Sequence, residues 1–138
     1  MRVLIAILLM AASISTSAET YVHVNGLSIH DQPGFNGFNY GAGMEQSVAT
    51  DWTVAGGYYR NSDYQGSVYA YARYAVYKQD PWDIGIGAGG VTGYTGHPVA
   101  PALFPQVCYT WVCGLFVPKV TSTGANSLAF QLRIPISQ

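Results

Sequence analysis

The residues with the most chemical potential are few: His23, His30 and His97, and the triplet Asn61–Ser62–Asp63. A serine hydroxyl beside an imidazole is the usual source of an acyl-transfer nucleophile, with an acid or amide holding the base in orientation. In that assignment Ser62 attacks, His30 accepts its proton and Asn61 orients the ring, with Asp63 one residue away as a substitute. Ser, Asn and Asp also populate turns because they hydrogen-bond to nearby backbone. Spacing alone therefore leaves plain solvated loops open as an alternative. A catalytic reading requires a fold that brings position 30 next to position 62.

The sequence beyond residue 18 divides into eight strand-sized pieces, at about 20–30, 38–48, 52–60, 66–78, 82–94, 98–108, 111–118 and 125–137. The last is the clearest. Leu128, Phe130, Leu132, Ile134 and Ile136 alternate with Ala129, Gln131 and Arg133, a period of two. Val68, Ala70, Ala72, Tyr74 and Val76 likewise alternate with Tyr69, Tyr71, Arg73 and Tyr77. Ile84, Ile86 and Ala88 alternate with Gly85, Gly87 and Gly89. Turn residues fall between the pieces, at Asp31–Gln32–Pro33–Gly34, Asn61–Ser62–Asp63, Gln79–Asp80–Pro81 and Thr121–Ser122–Thr123–Gly124.

Composition points to an all-β, eight-stranded antiparallel up-and-down barrel of the outer-membrane type. Of 138 residues 49% are apolar and only 9% charged, against about 25% charged in an average soluble domain. Residues 1–18 read as a cleavable export signal of the Sec type: Arg2, the apolar run Val3–Ala12, then small residues up to Ala18. The barrel then occupies 19–138. No later stretch offers the roughly 18–20 consecutive apolar residues of a spanning helix, so a membrane span must be a closed sheet. A soluble exported barrel similar to a lipocalin, with its apolar face inward, has the same period and differs in which face meets solvent. The chain ends Ile136–Ser137–Gln138 rather than on the aromatic residue common in outer-membrane barrels.

With both termini on the periplasmic side, residues 31–37, 61–65, 95–97 and 119–124 connect strands at the cell surface. His30, His97 and the Asn61–Ser62–Asp63 triplet then share the outer mouth, while His23 lies near the opposite rim. Beyond residue 18, five basic residues stand against seven acids, which argues against a nucleic-acid partner. The partners expected are membrane lipids, and the barrel is expected to be a monomer without a cofactor.

Cys108 and Cys113 flank a tight hairpin. An oxidising compartment permits a disulfide there; two free thiols are the alternative. Two thiols without a nearby His or acid make no metal site. Pro98, Pro101 and Pro105 fall in the sixth segment and Pro118 near the end of the seventh. Proline cannot donate to a ladder. These prolines either weaken a shared seam, so that a lipid chain can slip in sideways, or merely flank strands and sit at bulges.

The stretch Ile84-Gly-Ile-Gly-Ala-Gly-Gly-Val-Thr-Gly-Tyr94, followed by Ala102-Leu-Phe-Pro105 and Phe116-Val-Pro118, resembles the C-terminal half of the lipid A palmitoyltransferases. Those barrels carry a GLGF-x-AGVT strand, a V-L-L-P strand and a Y-I-P strand. The likeness runs over about residues 38–136, and order and spacing carry it. Small exported proteins, some phage-encoded, share the VTGY-type segment. The resemblance implies an outer-membrane enzyme moving palmitate from a phospholipid to lipid A. Its lumen would measure acyl-chain length, and its lipids would enter through seams at Pro105 and Pro118. The family's Asp-Ser pair falls on Asn61 and Ser62. Its essential His meets no His here, and His30 is the nearest counterpart. The family's N-terminal amphipathic helix has no equivalent. The alternative function is a non-catalytic surface barrel, possible in a phage-borne protein, that alters the envelope or binds a partner through its loops.

Overall fold

A computed structural model describes residues 19–94, 96–119 and 124–137. The export-signal reading of residues 1–18, and part of the loop at 119–124, lie outside the described residues. Eight strands follow in order: β1 (Thr20–His30), β2 (Phe38–Ser47), β3 (Trp52–Arg60), β4 (Gly66–Gln79), β5 (Trp82–Val91), β6 (Ala100–Tyr109), β7 (Val112–Val117) and β8 (Ser127–Ser137). Each pairs antiparallel with the next, and β8 pairs with β1, so the sheet closes into a barrel with no free edge.

Alternation decides which residues face the lumen. The most deeply buried large side chains are polar: Arg73 and Glu45 are each 1% exposed, and His23 and Gln106 are sealed completely. The outward positions are apolar, with Leu103 60% and Val68 58% exposed. This is the reverse of a lipocalin-like barrel with an apolar interior and a polar coat. Outward aromatic residues gather at the two ends. Trp52 packs on Tyr74 and Trp82 on Tyr109, both at 5.0–5.1 Å, with Trp111 nearby in sequence. At the other end Phe38 packs on Tyr40, and Tyr58 and Tyr64 are exposed.

The Cys108–Cys113 disulfide is formed, joining directly opposed residues of β6 and β7. Thr110 adopts the left-handed conformation (φ 52°) in the two-residue turn between them, which matches the twist a short hairpin needs. The fifth strand stops at Val91 rather than 94. Thr92 N–H still bonds to the carbonyl of Val68 opposite it, but the Val68 N–H goes to the Thr92 hydroxyl rather than to its carbonyl, and the ladder ends there. Gly93 then turns with φ +86°, so close to Gly66 that a Cβ would lie 2.2 Å from its carbonyl oxygen.

Pro98 and Pro118 flank their strands, whereas Pro101 and Pro105 lie inside β6. Neither marks a bulge: the β5–β6 register runs unbroken through Pro101↔Gly90 and Pro105↔Ile86. The irregularity lies on the other side of β6. There β7 pairs only with Gln106–Tyr109, leaving Ala100–Pro105 without a partner strand. The two prolines thus sit in the stretch where the barrel wall is unpaired.

Candidate functional site

The end of the barrel away from the disulfide is built from longer connections, and it holds the groups singled out above. His30 is the last residue of β1, and Ser62 is the second residue after β3. Two cross-loop hydrogen bonds set their spacing. Asn36 N–H donates to the Ser62 carbonyl (2.9 Å), and Asn39 Nδ2 to the Arg60 carbonyl (2.8 Å). The result brings His30 Nε2 to 2.7 Å from Ser62 Oγ. The imidazole also stacks on Phe35, with ring centroids 5.3 Å apart and planes 21° apart.

In the Nδ1–H tautomer of the His30 ring, Nε2 accepts the Ser62 hydroxyl proton. Asp31 itself is turned across the mouth, where its carboxylate accepts from Asn126 N (3.0 Å) and Asn126 Nδ2 (2.8 Å).

Asn61 does not orient His30 in this arrangement. Its buried side chain organises its own loop, accepting from the backbone of Asp63 and Gln65 (both 2.9 Å) and donating to Ser67 Oγ and the Gly93 carbonyl (both 2.9 Å). An Asn carries two donors and two acceptor sites, and all four are occupied. The turn therefore uses Asn61 to hold Ser62 in place, and its contribution to the dyad is indirect. His97 is exposed in the β5–β6 connection, its backbone bridged to Tyr94. His23 lies far down the lumen in a different network.

Below the dyad lies a cavity of about 170 Å³. Ser62, Tyr59 and Tyr94 line its upper part, and Tyr69, Tyr71, Val91, Phe104, Leu115 and Val117 line its walls. The Tyr59 and Tyr94 hydroxyls are 2.9 Å apart. Burial raises the Tyr94 pKa above its ordinary value, so the phenol stays protonated as a donor. Pro101, Ala102 and Pro118 also border the cavity, which places the unpaired β6–β7 stretch in its wall. The chain pattern points to the dyad and the prolines; this aromatic chamber comes from tyrosines on β3, on β4 and in the β5–β6 connection, which only the register brings together.

The opposite half of the lumen is filled by ions. Glu45 accepts from His23 Nε2 (2.6 Å) and Arg133 Nη2 (2.7 Å), and Asp83 joins Arg133 (3.0 Å) to Arg73 (2.7 Å). Arg73 Nε donates to Gln106 (2.5 Å), and the Tyr21 ring lies 3.7 Å beneath the Arg133 guanidinium. Among the described residues no three His, Cys, Asp or Glu side chains converge as metal ligands. No protein-family model matches the chain, and no curated protein matches it as a relative, so its function rests on the geometry just described.

Proposed function

We propose that this protein is a bacterial outer-membrane barrel that transfers an acyl chain between membrane lipids, with Ser62 as nucleophile and His30 as general base. The observation that carries the reading is the 2.7 Å approach of His30 Nε2 to Ser62 Oγ at the top of an apolar chamber. The outward apolar belt between two aromatic girdles supports the membrane setting, because such girdles mark both interfaces of transmembrane barrels. Seven of the strands have 9–14 residues, and a tilted strand of about 9–11 residues crosses a bilayer. The six-residue β7 leaves the β6–β7 seam unpaired along Ala100–Pro105, a way in for a lipid chain from the side.

In this reading Ser62 Oγ attacks the ester carbonyl carbon of a phospholipid while His30 takes the hydroxyl proton. The carbon–oxygen bond to glycerol then breaks, and His30 returns the proton to the departing alcohol oxygen. The acyl-serine next transfers its chain to an acceptor hydroxyl by the reverse sequence, His30 again carrying the proton. A phospholipid donor and a lipid A acceptor are the pair that the family resemblance implies.

A second reading draws on Asn61. Its amide is fully engaged in the loop, and among the described residues no carboxylate is bonded to the His30 ring. An imidazolium without an orienting acid is a weaker intermediate, which suits a non-catalytic surface barrel. Lipid A and phospholipids extracted from cells making the protein, read by mass spectrometry, decide between them. The enzyme reading expects a new acylated species with the wild type and a loss of about a thousandfold or more in Ser62→Ala and His30→Ala. Identical lipids with and without the protein, or with wild type and both variants, leave only the barrel.

A further inference from the structure

The chamber beneath Ser62 is not uniformly apolar. Two polar atoms in it, Asn25 Nδ2 and the Tyr69 hydroxyl, are buried and make no hydrogen bond. Both residues line the cavity, and Tyr69 is only 9% exposed. An unpartnered buried donor is disfavoured, so two of them lining one cavity call for a ligand.

Neither group is free to turn away. Asn25 Oδ1 accepts from Gln131 Nε2 (2.7 Å), and Gln131 in turn accepts from Gln106 (3.2 Å). That chain fixes which end of the Asn25 amide is left over: its NH2. The Tyr69 ring is held between Tyr59 and Tyr71, at centroid distances of 5.8 and 5.9 Å. Its hydroxyl fits against Gly43 and Gly57, where a Cβ would come within 2.2 and 2.5 Å of it. The two glycines make room for this one oxygen. The ledge lies roughly 15 Å of strand below His30, at about 3.3 Å per residue.

We infer that the chamber takes an acyl chain bearing an oxygen substituent, a hydroxyacyl chain, whose oxygen accepts from Asn25 Nδ2 and hydrogen-bonds to the Tyr69 hydroxyl. This deepens the acyltransferase reading and rests on an acyl chain entering the lumen. A plain hydrocarbon would cover both donors and leave them unsatisfied. A hydroxyl at that depth satisfies both. The cavity is comparable to the roughly 150 Å³ void that holds a single benzene, so it grips a short segment of chain, and one oxygen is a large part of what that segment offers.

The full-length mature protein in detergent micelles, carrying a fluorescent fatty acid, provides the test. Competitors are fatty acids of one length, unsubstituted or with a single hydroxyl at successive positions. One hydroxyl position is expected to bind about three- to tenfold tighter than the unsubstituted chain, the worth of a single added hydrogen bond. Tyr69→Phe should bring the two to parity, and His97→Ala, at an exposed loop residue that does not line the cavity, should keep the preference. Equal binding at every position overturns the inference while leaving an acyl chamber, the ledge then holding only water. A preference that survives both Tyr69→Phe and Asn25→Leu overturns it as well. If no fatty acid displaces the probe, the acyl-chain reading fails and takes this inference with it.

Discussion

The two halves of the lumen solve opposite problems with the same strands. Near the disulfide end the interior is closed by ions. Glu45 bridges His23 and Arg133, Asp83 bridges Arg133 and Arg73, and every member of the group is buried or nearly so. At the other end the same strands present phenol and phenyl rings around a cavity, with a serine and a histidine at its rim. The first half is filled, with the Thr53 hydroxyl its one buried polar atom left without a partner among the described residues; the second keeps a void, two such atoms and a stretch of unpaired wall. Rigidity and capacity are thus separated along the axis. The ion network ties β1, β2, β4, β5 and β8 together, which lets the upper half carry a gap at β6–β7 without the barrel opening.

That contrast is broken most directly by removing one ion. Arg133→Leu strips Glu45 and Asp83 of a shared partner and leaves buried negative charge. Breaking such a pair costs about 3–5 kcal/mol. Tyr59→Phe in the upper half removes one hydroxyl–hydroxyl bond, worth about 1 kcal/mol. Urea titration in detergent, read by the different gel mobilities of folded and unfolded barrel, should show the first variant unfolding at much lower urea than the second. Equal midpoints would mean that the lower half is not the anchor.

How much of this was legible in the chain follows from what periodicity can carry. The strands at 20–30, 52–60 and 66–78 match β1, β3 and β4 to within a residue, because turn residues bound them, at Asp31–Gln32–Pro33–Gly34, Asn61–Ser62–Asp63 and Gln79–Asp80–Pro81. The boundary at 94 overshot by three residues, since Thr92–Gly93–Tyr94 keeps the alternation while the Thr92 hydroxyl takes the Val68 N–H and Gly93 turns with φ +86°. His30 and Ser62 were legible as a pair because closure places the ends of the first and third strands at one mouth. Asn61 was not legible in its real role: an Asn beside a Ser looks like an orienting amide, and only the loop geometry shows its four hydrogen bonds used elsewhere. The ion network was invisible for another reason. His23, Glu45, Arg73, Asp83 and Arg133 lie on five strands, and register alone brings them to one level.

The disulfide sharpens the comparison at the seam where the halves meet. β6 and β7 share only four paired positions, and Cys108–Cys113 is one of them. Closing so short a loop contributes about 2 kcal/mol in the chain-entropy description. Replacing both cysteines by alanine should lower the urea midpoint less than Arg133→Leu does. It should also raise amide exchange in β7 more than in β3, which pairs over Thr53–Tyr59 on one side and Trp52–Arg60 on the other. Uniform loosening around the barrel would show that the seam has no special weakness.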